Sequence, residues 1–221
     1  MTASSQIQKI LRQPNAQQQF ELLRSALLEE SKRRSVFYEW VDETMKAEFI
    51  NGEIVIHSPV RIEHWQASEM LVSMLSLFTK IKKSGKIGFE KVMISLTRND
   101  YEPDIVFFRK EKADTFIAGQ VLFPAPDFVV EILSKKTAVT DRTTKKEDYA
   151  AHGIGEYWII DAHKQTIEQY LLLSETDTSY FQPYIFRIGD DISSRVIEGF
   201  TIPVQAVFDE AVNLKTLTQF I

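Results

Sequence analysis

Between residues 63 and 161, the pattern of one long amphipathic helix is followed by three apolar strand patterns, a second helix and a fourth strand. Apolar residues at helical spacing mark the helices, and short apolar runs bounded by turn residues mark the strands. This order predicts helices layered against a mixed sheet, so we expect the α/β (α+β) class with a central mixed β-sheet flanked by helices. The predicted segments are a helix over 63–83, strands over 87–96, 104–109 and 127–133, a helix over 143–154 and a strand over 155–161.

A hairpin and a polar extension precede these segments. Asn51-Gly52 stands between β-forming residues, and this pair favours a type I′ turn because both residues tolerate positive φ. Apolar residues at helical spacing predict a helix over Gln17–Lys32, ending in a basic stretch. We therefore assign residues 1–36 to an N-terminal helical extension, in which we recognise no chemistry, and residues 37–221 to a single domain.

Two carboxylates lie in segments that otherwise resemble buried strands. Asp104 follows Pro103 and precedes "IVFF", and Glu131 follows "FVV" in the next strand. A bare carboxylate in an apolar strand is costly unless a partner compensates its charge. If the strands are neighbours, the two side chains meet at one end of the sheet and offer oxygen ligands to a hard cation such as Mg²⁺. The alternative is that Asp104 caps a turn and Glu131 pairs with a nearby Lys or Arg.

Charge and cysteine content narrow the classes of function. The net charge of −5 means that the chain as a whole lacks the basic surface of a nonspecific DNA binder. Two local stretches, Lys80–Lys86 and Lys135–Lys146, are candidates for contacts with a DNA backbone, and a solvated loop or helix end is the alternative for each. The chain has no cysteine, which excludes thiolate chemistry, and no apolar run reaches membrane-spanning length. We expect a cytoplasmic protein without membrane contact.

Four separate blocks of sequence occur in an order that resembles a known family. They are "AEFINGEIVIHSP", "YEPDIVFF", "DFVVEILSKKT" and "DRTTKKEDYAAHGIGEYWIID". Together they resemble the Uma-type family of restriction endonucleases, within the PD-(D/E)XK nuclease superfamily. The resemblance covers about residues 38–205, and several blocks in one order are more specific than any short motif alone. It implies a restriction-endonuclease-like core, with the N-terminal extension outside it.

Carried over residue by residue, the resemblance implies a metal site. His64 matches a histidine that starts a helix in the family, where it would contact the scissile phosphate or orient a carboxylate. Asp141 and Tyr149 match positions that shape the site. The implied metal ligands are Asp104, Glu131, the Ile132 carbonyl and, through water, Glu48.

One position departs from the parent superfamily. Two residues after Glu131 the superfamily has a lysine that orients and activates the attacking water, and this chain has Leu133. In the resembled family a lysine recurs four residues before Tyr149, which here is Lys145, on a helix from which it can reach the site. Lys146 is the competing candidate, because a shift of one residue rotates a side chain by about 100° around a helix. A solvated helix position is the alternative for Lys145.

The resemblance implies a metal-dependent endonuclease that cleaves DNA phosphodiesters with Mg²⁺ or Mn²⁺. Asp104 and Glu131 would hold the ion, and Lys145 would position or activate the attacking water. Restriction-type nucleases cut two strands, so a homodimer is consistent with this function. Two alternatives stay open: a non-catalytic module that keeps the nuclease fold and binds nucleic acid or protein, and a regulatory or antitoxin-like partner in genome defence.

Overall fold

The computed structural model describes residues 3–42 and 44–221 of the chain. The described part begins with two helices, α1 (Ala3–Leu11) and α2 (Ala16–Trp40). α2 does not end at Lys32 as predicted but continues across the expected boundary at residue 36. None of the helices in these two ranges is both long and apolar enough to cross a bilayer.

Contacts with the rest of the protein explain why α2 is longer than predicted. Phe37 is fully buried and packs against Phe49. Arg34 Nε lies 2.6 Å from Asp100 Oδ2, and the Arg34 guanidinium also donates to three backbone carbonyls. The sequence pattern of the helix alone contains no signal for these distant partners.

The hairpin predicted at Asn51-Gly52 is confirmed. It joins β1 (Ala47–Ile50) to β2 (Glu53–Ile56), with Ile50 opposite Glu53. Asn51 has φ 52° and Gly52 has φ 85°. Positive φ at both central residues is the geometry of a type I′ turn.

The prediction of one continuous strand over 87–96 was wrong. The chain forms β3 (Gly85–Phe89), turns, and then forms β4 (Met93–Ser95) in a different sheet. Glu90 adopts the left-handed region with φ 64°, and its N–H donates to the carbonyl of Asp104 at 3.1 Å. The turn therefore moves the chain between sheets beside a predicted site residue.

The remaining strands complete the sheets. They are β5 (Asp100–Tyr101), β6 (Ile105–Arg109), β7 (Leu122–Phe123), β8 (Phe128–Ile132), β9 (Glu156–Asp161), β10 (Thr166–Leu171), β11 (Tyr184–Arg187), β12 (Asp191–Ser193) and β13 (Thr201–Pro203). Over the described ranges, the larger sheet has six strands in the order β11-β10-β9-β8-β6-β3, and the smaller has five in the order β2-β1-β5-β4-β7. β8 is antiparallel to β6 and parallel to β9, so the central sheet is mixed, as predicted.

The other helices lie on the two faces of the larger sheet. The helix predicted over 143–154 begins earlier and ends at Ala151, and a wider π-helical turn interrupts it. We call residues 138–151, including this turn, the helical segment. The helices are α3 (Ile62–Lys82), α4 (Lys110–Ala113), α5 (Ala138–Thr140), the π-helical turn (Asp141–Lys145), α6 (Lys146–Ala151), a 3₁₀ turn (Val204–Val207) and α7 (Glu210–Gln219).

Alternation along β8 shows how the fold positions a carboxylate. Phe128, Val130 and Ile132 belong to a core cluster that includes residues of α3. Val129 lies in the opposite cluster, with residues of the smaller sheet and the helical segment. Because side chains alternate between the faces of a strand, Glu131 shares the face of Val129. It therefore points into the space between the two sheets.

Candidate active site

A buried lysine lies between two buried glutamates where the two sheets face each other. Lys145 Nζ is 2.8 Å from Glu48 Oε1 and 2.9 Å from Glu131 Oε1. Tyr149 Oη donates a further hydrogen bond to this oxygen of Glu131 at 2.9 Å. β1 supplies Glu48, β8 supplies Glu131, and the helical segment supplies the lysine and the tyrosine. The fold thus brings together four of the residues that the sequence singled out.

Lys145, the last residue of the π-helical turn, faces the carboxylates, whereas Lys146, the next residue, does not. Single π turns inside α-helices are frequent at functional sites. Here both ends of the turn are buried, with Lys145 Nζ 3.7 Å from Asp141 Oδ1. Lys146 Nζ instead lies 5.7 Å from the ring centroid of Tyr170. Lys145 rather than Lys146 therefore brings a positive charge to Glu131. Leu133, which directly follows β8, brings none.

Asp104 lies next to this cluster, where the chain passes from the smaller to the larger sheet through Pro103. Its Oδ2 accepts a hydrogen bond from the Ile132 N–H at 2.8 Å and lies 3.1 Å from His64 Nε2. Its Oδ1 accepts from Lys46 Nζ at 3.1 Å. His64, in the first turn of α3, thus contacts a carboxylate, and both roles considered for it stay predictions. Because Ile132 follows Glu131 in β8, these contacts place Asp104 beside the group formed by Lys145, Glu48, Glu131 and Tyr149, which we call the lysine cluster.

Two residues that touch the carboxylates were missed by sequence reasoning. Lys46 contacts Asp104, and His57 Nε2 lies 2.9 Å from Glu48 Oε2. Glu48 pairs with Val55 in the hairpin, and in this register Lys46 stands opposite His57, with the His57 N–H donating to the Lys46 carbonyl at 3.0 Å. All four residues then share one face. The positions of Lys46 and His57 could therefore have been predicted from the hairpin, by extending its register by one residue pair.

Burial raises the pKa values of the buried carboxylates, and neighbouring positive charges lower them. Burial opposes ionisation of Glu48, but Lys145 and His57 outweigh it and lower the pKa of Glu48 to about 2. Burial, together with repulsion from neighbouring carboxylates, raises the pKa of Glu131 to about 8 despite the attraction of Lys145. Burial likewise opposes the charge of Lys145, but the surrounding carboxylates hold its pKa well above the usual value. One ammonium compensates one carboxylate, so Glu48 carries the negative charge at neutral pH and Glu131 is largely protonated.

The raised pKa of Glu131 predicts how the stability of the metal-free protein depends on pH. Between the ordinary pKa of 4.5 and about 8, the folded protein retains a proton on Glu131 that the unfolded chain has lost. The free energy of unfolding therefore falls as the pH rises through this range. In urea unfolding with EDTA, we expect a decrease on the order of 2 kcal/mol between pH 5.5 and 8.5, and a much smaller one in Glu131→Gln.

The exposed Glu147 provides a matched control for this measurement. Glu147→Gln removes a carboxylate from the same helical segment but from its solvent side, so we expect it to keep the wild-type dependence on pH. If Glu131→Gln also kept that dependence, the proton retained on folding would have to lie on another group.

A cavity of about 280 Å³ opens beside Lys145, between the hairpin and the helical segment. Glu48, His57 and Asp141 contribute to its lining. Both carboxylate oxygens of Asp141 are buried without a hydrogen bond of good geometry. Across residues 3–42 and 44–221, no three His, Asp or Glu side chains are arranged to hold a metal ion. Instead, the ammonium groups of Lys46 and Lys145 form ion pairs with the carboxylates.

The first basic stretch lies far from these carboxylates. Lys80–Lys86 covers the end of α3 and the beginning of β3, whereas His64 lies at the other end of α3. At a rise of 1.5 Å per residue, the helix separates His64 from Lys80 by about 24 Å. A contact of this stretch with a DNA backbone stays a prediction, and it would involve a part of the duplex distant from these carboxylates.

The second basic stretch, Lys135–Lys146, has fewer free charges than its sequence indicates. Lys145 is buried, and Arg142 Nε donates to Glu168 Oε1 at 3.0 Å. Lys135 and Lys136 are exposed. The contact of this stretch with a DNA backbone stays a prediction, for which Lys135 and Lys136 are its exposed lysines.

A mixed sheet with buried carboxylates on neighbouring elements and a lysine beside them defines a protein with a nuclease-like, restriction-endonuclease-type fold. The model of the Uma2 family, described as "Putative restriction endonuclease", matches residues 34–205. This match covers well over half of the chain, and the protein belongs to that family. The resemblance seen in the sequence blocks is thereby confirmed.

A solved structure, among several that match, shows the same fold. It is the crystal structure of "a putative nuclease belonging to DUF820" from Anabaena variabilis ATCC 29413, with a TM-score of 0.67 and 19% sequence identity. The similarity covers 82% of this chain and 96% of that chain. At this identity the likeness concerns the fold alone, and it confirms the predicted fold class. Among curated proteins, none matches the chain.

Proposed function

We propose that the protein is a metal-dependent endonuclease that hydrolyses the phosphodiester bonds of DNA. The observation that carries the proposal is the position of Lys145, whose ammonium lies 2.8 Å and 2.9 Å from carboxylates on two different strands. The helical segment thus supplies the positive charge that the superfamily has at the position of Leu133. Preorganised charge in a buried site is a major source of catalysis where negative charge develops in the transition state.

The chemistry of the donor atoms suits a hard divalent cation such as Mg²⁺ or Mn²⁺, which would require the described side chains to move together from their metal-free positions. Asp104, Glu131 and the Ile132 carbonyl would hold it, with Glu48 as a further carboxylate, and oxygen ligands of this kind are those that Mg²⁺ prefers. The oxygens of Asp141 are buried without a hydrogen bond of good geometry, and burial, followed by repulsion from neighbouring carboxylates, raises the pKa of Glu131; a cation would stabilise the ionised form of both groups. When bound, such an ion supplies a Lewis acid that polarises a phosphoryl oxygen and makes water more acidic.

The role of Lys145 follows from its protonation state. Because its pKa is held well above the usual value, it is an ammonium at neutral pH and cannot accept a proton from water. We propose that it donates hydrogen bonds, which orient the attacking water and stabilise charge on the phosphoryl group. Tyr149 donates to Glu131 and thereby fixes the carboxylate that lies next to this ammonium.

His64 and Glu48 complete the proposed site as positioning residues. His64 approaches Asp104 Oδ2 from α3 and holds this carboxylate together with the Ile132 N–H. Glu48 Oε1 accepts from both the Glu102 N–H, at 2.9 Å, and Lys145. Because the backbone contact fixes Glu48, it in turn holds the ammonium in place.

DNA is the substrate that we propose, and the description of the family supports it. Lys136 lines the cavity, and the neighbouring Lys135 is exposed, so both are placed to meet a backbone phosphate. Cutting both strands of a duplex calls for two sites, for which we propose a homodimer. We propose the cytoplasm as the compartment.

A plasmid-cleavage assay tests the proposal, with Asp104→Asn compared with Asp127→Asn. Both residues follow a proline and immediately precede a buried strand segment, but Asp127 pairs with Lys112, away from the lysine cluster. With Mg²⁺ or Mn²⁺, we expect the wild type to cut plasmid or single-stranded DNA and Asp104→Asn to lose activity by about 100-fold or more. Asp127→Asn should cut at close to the wild-type rate.

The outcome is interpreted together with a thermal melt of each variant. Equal loss of cutting in folded Asp104→Asn and Asp127→Asn would contradict the assigned site. Metal-dependent cutting that survives Asp104→Asn would place the chemistry elsewhere.

A specific observation favours the second candidate function, a non-catalytic module that keeps the nuclease fold. The protein's own cationic side chains already contact the three central carboxylates, Glu48, Asp104 and Glu131. These contacts compensate part of the acid charge without an ion. Calorimetry distinguishes the two functions: no heat of Mn²⁺ binding together with no cutting would favour the binding module.

A further inference from the structure

Both oxygens of Asp104 already have a donor or cationic group close by. Oδ1 accepts from Lys46 Nζ at 3.1 Å, and Oδ2 is shared by His64 Nε2 at 3.1 Å and the Ile132 N–H at 2.8 Å. A carboxylate oxygen has two lone pairs, so an ion could approach Oδ1, but it would meet the positive charge of Lys46 there unless this lysine moves away. The backbone N–H is fixed by β8, and His64 is held by α3, whereas a lysine side chain has four rotatable bonds.

Of the three partners of Asp104, Lys46 can move away most easily. Its side chain is 24% exposed, whereas that of Lys145 is 2% exposed. It directly precedes β1 and shares a face of the hairpin with Glu48, so its ammonium enters the space between the sheets from the edge. Lysine side chains of this kind keep their charge near water while the stem is buried.

The charges around Lys46 explain why it occupies this position. Burial opposes its charge, but attraction by Asp104, Glu131 and Glu48 outweighs burial and raises the pKa of Lys46. Two ammonium groups, Lys46 and Lys145, face the buried carboxyl groups of Glu48, Asp104, Glu131 and Asp141. A divalent ion brings two positive charges to these carboxyl groups, whereas Lys46 brings one.

We propose that Lys46 is a built-in counter-ion, which occupies Asp104 in the metal-free protein and competes with the divalent cation for this carboxylate. The proposal rests on the metal-dependent function given above and adds a regulatory element to it. The lysine keeps the empty acid cluster folded and raises the metal concentration at which the site fills. The protein is then held in a metal-free, stable form until the cation concentration is sufficient to displace the lysine.

The test is a calorimetric titration of Mn²⁺ into wild type and Lys46→Met, without DNA. A partly exposed ion pair is worth about 1 kcal/mol, so we expect Lys46→Met to bind Mn²⁺ about fivefold more tightly. In EDTA, Lys46→Met should melt at a lower temperature than wild type, and saturating Mn²⁺ should remove this difference. Lys46→Arg, which keeps the charge, should stay near the wild-type affinity.

Two controls separate a contact with Asp104 from a general effect of charge. Lys136→Met removes a lysine that lines the cavity but donates to a backbone carbonyl, so its effect on Mn²⁺ affinity should be smaller. In an Asp104→Asn background, Lys46→Met should no longer tighten binding. Unchanged or weaker Mn²⁺ binding by folded Lys46→Met would overturn the proposal. No Mn²⁺ binding by wild type would instead overturn the metal-dependent function itself.

Discussion

Lys145→Met is expected to reduce metal-dependent DNA cleavage by about 10³-fold, at the upper end of what removal of one preorganised donor costs. The substitution removes the ammonium that contacts both Glu48 and Glu131 and leaves a side chain of similar length. Lys146→Met is the matched control, one residue further along the same helical segment. Its ammonium faces the ring of Tyr170, so we expect a stability cost of about 0.5 kcal/mol and almost unchanged cleavage.

The same substitution also leaves two buried carboxylates without their shared cation. Breaking a buried ion pair in this way is strongly destabilising, so activity must be measured where circular dichroism shows Lys145→Met to be folded. For the measurement of stability alone, Lys145→Met in the Glu131→Gln background leaves Glu48 as the one carboxylate of this pair and provides a more stable comparison. Near-normal cleavage by folded Lys145→Met, or an equal loss in Lys146→Met, would contradict the role of this lysine.

Glu156→Ala is expected to lower the free energy of unfolding by about 3–5 kcal/mol, since it leaves several buried donors without an acceptor. Glu156 is fully buried at the start of β9, and its two oxygens accept five hydrogen bonds. These donors connect β9 to β10 and to the segment after β12. The donor groups are Trp158 Nε1, Gln169 Nε2, Ser194 Oγ and the N–H groups of Arg195 and Val196.

Urea unfolding of Glu156→Ala, compared with Glu198→Ala, measures this contribution. Glu198 is exposed on the loop between β12 and β13, so its removal should change stability by no more than about 0.5 kcal/mol. A loss below about 1 kcal/mol in Glu156→Ala would show that water or rearranged side chains satisfy the five donors. Neither substitution touches the proposed site, so cleavage at low temperature should persist in both.

Local signals in the sequence were sufficient for much of the fold. The Asn51-Gly52 hairpin was predicted with its turn type, because positive φ at both residues is a local property. The segment over 87–96 was predicted as one strand because nothing local marks Glu90 as left-handed; its N–H donates to the distant Asp104 carbonyl. Similarly, the last turns of α2 depend on contacts such as that of Phe37 with Phe49.

The candidate site was predicted as a set of residues but not as an arrangement. Lys145 was distinguished from Lys146 only by its spacing to Tyr149, whereas the π-helical turn that ends at Lys145 leaves no signal in the sequence. Lys46 was overlooked because a lysine before a strand is ordinarily solvated. Its contact with Asp104 depends on how the hairpin packs against the larger sheet. The roles of these residues in catalysis stay predictions.

The most direct test of the central claim is to measure Mn²⁺ binding and DNA cleavage on one preparation of the wild-type protein. If Asp104 and Glu131 hold the ion that supports cleavage, the Mn²⁺ concentration for half-maximal cleavage should coincide with the dissociation constant from calorimetry. Glu131→Gln should weaken binding and shift the concentration dependence of cleavage by the same factor. Cleavage that persists in EDTA, or Mn²⁺ binding that Glu131→Gln leaves unchanged, would contradict the account.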